Sequence, residues 1–153
     1  MEFAYHVWAT EKLLGHLKTL PGDIFHKEIR SVFPSVERTL FHLYEVDALW
    51  FSRLKGEQVP LKKHMFETVG ECEIDFSDLH KEILDWLSDM SDELVSVNYT
   101  TSNGEAFKNT RREILHHLVN HGTYHRGNIA AMLWQLGERS VSTDYIYYVR
   151  EQG

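Results

Sequence analysis

Cysteine is nearly absent from this chain. Among 153 residues there is one, Cys72. A lone cysteine closes no intramolecular disulfide, which fits a reducing cytoplasm. Its neighbours Glu71, Glu73 and Asp75 are acidic; they disfavour the thiolate, so Cys72 reads as inert. Basic charge is also short, with 16 Lys and Arg against 23 Asp and Glu, a formal net charge of -7. Non-specific nucleic-acid binding draws most of its affinity from a basic surface, and no Lys/Arg cluster supplies one. Long hydrophobic runs are missing as well. No stretch approaches the ~20 apolar residues of a membrane span. The start, Met1 to His6, has neither the basic opening nor the apolar run of a secretion signal. A cytoplasmic protein with no membrane or nucleic-acid partner is expected. No internal repeat or low-complexity segment is visible.

What is present is ordinary for a globular domain: 42% hydrophobic and 25% charged residues. The length suits one domain, residues 1–153, with a real core. Phe3 to Leu20 carries apolar residues at helical spacing and stops at Pro21-Gly22. After a connector, Ser35 is a candidate N-cap for a second helix, Val36 to Leu54, ending near Gly56. This helix is apolar beyond one narrow stripe, so it is buried on two sides or joins a partner chain. Glu57 to Ile74, with Pro60, Gly70 and Cys72, reads as a long polar connector. A third helix is expected from Asp75 to Ser91. Val95 to Lys108 alternates and then turns at Asn103-Gly104, which predicts a small hairpin or an irregular loop. Thr110-Arg111-Arg112-Glu113 matches a capping box and opens a fourth helix to about Leu136. A short last helix covers Asp144 to Glu151.

The fourth helix holds the densest chemistry. His117, His121 and His125 step by four, so about 40° separates each from the next and all three share one stripe. His116 points elsewhere. Two imidazoles one turn apart can ligate a divalent transition metal, and a third ligand would come from another helix. Hydrogen-bonded structural histidines fit the same spacing. Surrounding apolar residues (Ile114, Leu118, Ile129, Met132, Leu133) turn the stripe inward, where neutral imidazoles need partners. Gly122 and Gly127 beside it suggest close packing or room for a ligand. His42, in the second helix, reads alone as a core histidine and gains weight only if it faces His121 and His125. Glu45 shares its face and is a candidate acceptor behind a ligand. Asp47, about 140° around the helix, is a poor candidate for the same ion. His6 reads as surface or half-buried, and His80 has no histidine partner at helical spacing.

Four long amphipathic helices imply an all-α four-helix bundle. The run His121-Gly122-Thr123-Tyr124-His125-Arg126-Gly127, followed by Leu136-Gly137 and Asp144-Tyr145, resembles the DinB family of DinB/YfiT-like helix bundles. So do His42-Leu43-Tyr44-Glu45-Val46-Asp47-Ala48-Leu49-Trp50 and Tyr5-His6-Val7-Trp8-Ala9. The resemblance covers nearly the whole chain; His6 stands where many relatives carry asparagine. It implies an up-down-down-up path and a divalent ion, zinc or nickel, held by His42, His121 and His125. It also implies a homodimer, to which the apolar second helix and the tyrosines Tyr145, Tyr147 and Tyr148 lend support.

Three histidines leave coordination positions open, as catalytic sites do. By resemblance, the leading expectation is a metal-dependent enzyme acting on a small molecule: a thiol-dependent S-transferase, with a low-molecular-weight thiol such as bacillithiol or mycothiol, or a hydrolase. His117 or Tyr124 would then handle protons, and Arg126 would bind an anionic group. The alternatives are a metal-binding stress-response protein without turnover and a helical interaction module.

Overall fold

Three hydroxyl side chains start the three longest helices. In the computed structural model, which describes residues 2–57 and 64–153, Ser35, Thr68 and Thr110 are N-caps accepting from the backbone N–H of Arg38, Glu71 and Glu113. Each satisfies one of the donors a helix start leaves without a partner. The elements are α1 (Glu2–Leu17), α2 (Val36–Lys55), α3 (Val69–Ser88), strands β1 (Ser96–Thr100) and β2 (Ala106–Thr110), α4 (Arg111–Gln135) and α5 (Tyr145–Gln152). The chain is thus mostly helical, five helices with one two-stranded sheet among the described residues.

The expected boundaries hold for α2, α4 and α5 to within a residue or two. Gly56 and Gly137 follow α2 and α4 in the left-handed region, φ 71° and 83°, where glycine alone is unstrained. The capping box at Thr110 is complete, since Glu113 Oε2 accepts from the Thr110 N–H at 2.8 Å. The turn at Asn103-Gly104 closes an antiparallel hairpin that pairs Tyr99 with Phe107, and Gly104 takes φ 81°.

Two helices differ in extent, α3 at both ends, since it stops at Ser88 and not Ser91. α1 ends at Leu17, not Leu20, because Thr19 and Leu20 bond three residues back and the Thr19 hydroxyl takes the His16 carbonyl. α3 starts at Val69, not Asp75. Thr68-Val69-Gly70-Glu71 is itself a capping sequence, and Glu71 accepts from the Glu67 N–H at 2.8 Å. Gly70 and Cys72 therefore belong to the helix, and Cys72 is buried in the core. Pro60 lies outside the described residues.

Helix α1 packs on α3 and α4, and α2 packs on the same two helices. Paired residues give the directions. Glu2 meets His116 and Thr10 meets Arg126, so α1 and α4 run parallel. Tyr44 meets Phe76 and Phe51 meets Trp86, so α2 and α3 run parallel. Trp50 meets His117 while His42 meets His125, so α2 and α4 are antiparallel. Helix α5 docks on α1: the Tyr5 hydroxyl donates to the Thr143 carbonyl at 2.8 Å, and Lys12 pairs with Glu151.

The apolar interior forms two clusters. One holds Leu13, Leu40, Leu43, Phe76 and Met132; the other holds Phe3, Ala48, Phe51, Ile83 and Leu118. A buried polar layer of His6, Asp47, His80 and Arg126 belongs to neither. His6 is fully buried, correcting the surface or half-buried role expected from sequence. A β-carbon on Gly122 would overlap Cε1 and Nδ1 of the His6 ring, so glycine lets α1 approach α4. Gly127, one and a half turns on, has open space where its β-carbon would be.

The two glycines should therefore respond oppositely to alanine. Gly122→Ala is expected to destabilise by about 1–3 kcal/mol, the cost of overpacking a filled interior. Gly127→Ala is expected to stabilise by about 1 kcal/mol through helix propensity. Urea unfolding of the two variants checks this; equal effects of the same sign would contradict the packing.

Candidate metal centre

Two groups of ligand-type side chains form inside the fold: His42 with His121 and His125, and His6 with Asp47 and His80. In each, one ligand atom per residue lies within 4.8 Å of the others. Their surroundings separate them.

In the second group, Asp47 Oδ2 accepts from His6 Nε2 at 2.9 Å and from His80 Nε2 at 3.0 Å. On the other side of the His6 ring, Arg126 Nη1 lies 3.2 Å from Nδ1. One tautomer satisfies all of this: neutral His6 donates through Nε2–H to Asp47 and accepts at Nδ1 from Arg126. Burial lowers the His6 pKa and keeps the ring neutral. Burial alone would raise Asp47, but facing and hydrogen bonding from His6 and His80 outweigh it and hold the carboxyl below its usual range. The layer then contains one anion, Asp47, and one cation, Arg126, both buried. Its charge is already balanced, and a dication beside the guanidinium would unbalance it. We read this cluster as structural.

The first group carries no counter-charge. His42 Nε2 and His121 Nε2 face each other at 3.2 Å. Ring centroids are 5.1 Å apart for His42 and His121, 4.8 Å for His42 and His125, and 4.4 Å for His121 and His125. Nitrogens bonded to one zinc at ~2.0–2.1 Å sit a little over 3 Å from one another in a tetrahedral site. The pair at 3.2 Å has that spacing, so the residues fit a divalent ion. Burial, then the neighbouring His125 and His42 rings, push His121 down to about 4. Burial and His42 push His125 down to about 4, and burial lowers His42. All three are neutral near pH 7, the form in which imidazole ligates.

Exposure falls along the stripe. His117 is exposed, His121 half-buried and His125 buried at 5%. The Nδ1 of His121 is buried and has no hydrogen-bond partner. His125 Nδ1 lies 3.4 Å from the Asn128 amide. A half-turn of that amide presents its oxygen to Nδ1–H, which leaves Nε2 free to ligate. Phe33, from the connector before α2, stacks on His42 at 4.7 Å and packs against His125 at 5.7 Å.

The remaining candidates are placed unevenly. His117 is 5.7 Å from His121, ring to ring, and packs on Trp50 at 5.1 Å. Burial and then Arg53 lower its pKa. Glu45 is half-buried with its pKa raised by burial, and no hydrogen bond joins it to His42. Tyr124 is 61% exposed and packs edge-on against His125 at 5.0 Å. Arg126 is buried against His6 and Thr10, on the α1 side of α4. Sequence reading missed Phe33 and Asn128. An aromatic in a connector carries no periodic signal, whereas Asn128, three residues past His125, sat at legible spacing. A shallow depression of about 500 Å³ lies over the hairpin, lined by residues including Tyr99, Phe107 and Lys108, and not over the three histidines.

The architecture is that of a helical protein carrying three converging, uncharged histidines on two antiparallel helices. The chain belongs to the DinB family, which it matches over residues 2–152. It is 36% identical to "Protein DinB" of Bacillus subtilis (strain 168) across 96% of this chain and 91% of that protein. It is also 32% identical to "Uncharacterized protein YizA" of the same organism, across 71% of this chain and 69% of that one. No helix among the described residues is long and apolar enough to cross a membrane.

The depressed ligand pKa values have two measurable consequences. An imidazole with pKa near 6.5 is about nine-tenths protonated at pH 5.5. Zinc affinity at the three histidines is instead expected to fall far less between pH 7.5 and 5.5 than the about thousandfold that three such imidazoles would give; a fall of that size would mean ordinary histidines. In the metal-free protein, His121 and His125 bind protons when unfolded but not when folded, between pH 6.5 and about 4. Stability should therefore fall as pH falls through that window. Urea midpoints of the metal-free protein at pH 7 and 4.5 measure it.

Proposed function

We propose that this protein binds one divalent transition-metal ion, zinc or nickel, through His42, His121 and His125, and uses it as a small-molecule enzyme. Carrying this reading is the convergence of three neutral imidazoles, with no fourth ligand grouped with them among the described residues. A site with spare coordination positions serves a substrate, whereas structural zinc is usually closed by four protein ligands. When bound, such an ion supplies Lewis acidity to an oxygen or sulfur of the substrate.

The chain's own groups have separable tasks. His117, neutral and solvent-facing beside His121, takes and returns a substrate proton. Glu45, with its raised pKa one turn from His42, is a second proton acceptor. Tyr124 borders the mouth over His125. Arg126 acts through His6 to hold α1 and α4 in place. Phe33 excludes water from one side of His42. A thiol-dependent S-transferase is the reaction class we favour, with hydrolysis second.

The scaffold we propose is a single domain, a four-helix bundle with up-down-down-up path. The parallel pairs α1–α4 and α2–α3 support it. A homodimer is proposed on the exposed apolar side chains of α5, Tyr145, Ile146 and Tyr147.

Elemental analysis of purified protein is expected to give about one divalent ion per chain, lost in His121→Ala. The metal-loaded protein should consume a low-molecular-weight thiol with an electrophile, and a chelator should stop it. Metal bound without turnover of any thiol or ester would leave a metal-binding stress protein. No metal bound would leave the histidines structural. Light scattering should give about twice the 18.0 kDa of one chain.

A further inference from the structure

A row of rings leads away from the three histidines. His117 packs on His121, Trp50 packs on His117 at 5.1 Å, and Tyr99 packs on Trp50 at 5.0 Å. At its end the Arg53 guanidinium lies 4.4 Å from the Trp50 ring and 4.6 Å from the Tyr99 ring. The row is continuous along one side of the molecule. Arg53 is eleven residues after His42 on α2, so it sits on nearly the same face and about 16 Å along the helix. Between them on α2, Leu49 is 37% exposed, and His117 is exposed on α4.

Arg53 is held but its charge is not matched. Among the described residues, no carboxylate lies within ion-pair distance of it, although the chain carries a net charge of -7. The Lys55 ammonium two residues on pairs with both Glu57 and Glu82. Two rings that touch each other edge-on cover one side of the Arg53 guanidinium. Its N–H edge is what an anion binds, and a planar fork matches a carboxylate two bonds at a time. The second ring is also fixed: the Tyr99 hydroxyl donates to Asn109 Oδ1 at 2.7 Å, and Asn109 in turn donates to Glu113. Packing against both rings restrains a long side chain before any ligand arrives, which lowers the ordering cost of binding.

We infer that Arg53, Trp50, Tyr99 and His117 form a subsite for the far end of an elongated ligand that carries a carboxylate. The subsite deepens the metalloenzyme reading and rests on it for the position of the near end. The ligand class is a linear small molecule whose reactive group meets the three histidines and whose carboxylate meets Arg53. Trp50 and His117 flank the apolar middle.

Linear dicarboxylic acids converted at one end to a hydroxamate test this. The hydroxamate seeks the metal and the free carboxylate seeks Arg53; the matching methyl esters are controls. With zinc-loaded protein, an optimum chain length is expected at which the acid binds about tenfold more tightly than its ester. In Arg53→Gln the acid and ester should bind alike, at the ester's affinity. No preference for the acid at any length, or a preference that survives Arg53→Gln, would overturn the subsite. A second arm needs no metal. Decanoate is titrated into metal-free protein while the Arg53 Nε–H and Trp50 indole N–H resonances are followed by NMR. A saturable shift of both is expected, and none of the Arg53 signal with either ligand would overturn the proposal. Hydroxamates that fail to bind while decanoate still shifts Arg53 would remove the metal reading and keep the anion subsite.

Discussion

One buried carboxylate ties the four long helices together. Asp47 of α2 is fully buried, and an ionised carboxylate without partners cannot remain so. It accepts from His6 of α1 and His80 of α3, and His6 hands the interaction on to Arg126 of α4. Each helix contributes one member to a layer outside both apolar clusters. Because the layer is directional, where the clusters are not, it sets the rotation of each helix about its axis. The rotation of α2 matters most. With Asp47 turned to α1 and α3, His42 lies about 140° around the helix, toward α4. Arg126 turned to α1 leaves His125, one residue back, free to meet His42.

The same layer explains why two histidine clusters of similar geometry differ in chemistry. Around Asp47, every charge has an opposite charge nearby, and the imidazole Nε2 atoms are engaged in hydrogen bonds. Around His42, the rings face one another with no anion among them. Their common environment disfavours protonation, and lone pairs then point at a shared space. Neutral nitrogens that converge in this way can offer their lone pairs to one cation. Outward from that point, exposure increases through His121 to His117. Rings of Trp50 and Tyr99 extend the surface to the hairpin. The hairpin is thus a wall of this side of the molecule as well as a crossover from α3 to α4.

Much of the scaffold was legible in local chemistry. Ser35, Thr110 with Glu113, Gly56, Gly137 and Asn103-Gly104 mark boundaries because each satisfies backbone groups or dihedral angles within a few residues. The start of α3 was misplaced although Thr68 and Glu71 carry the same signature as Thr110 and Glu113; Gly70 between them disguised it as a connector. Spacing also placed His117, His121 and His125 on one stripe and set Asp47 apart from His42. The third histidine, His42, came from likeness to a family, since periodicity cannot say which residues of two separate helices will meet.

By itself, then, the sequence determined the helices, their caps, the histidine stripe and the family, all of which rest on short-range geometry or on matched residues. Tertiary structure alone decided that His6 is interior, that His80 finds Asp47, that Gly122 makes room for an imidazole, and that Arg53 lies against Tyr99. Each of these depends on the approach of elements far apart in the chain. That approach is set by where a few buried polar groups find partners, and a repeating apolar pattern contains no record of it.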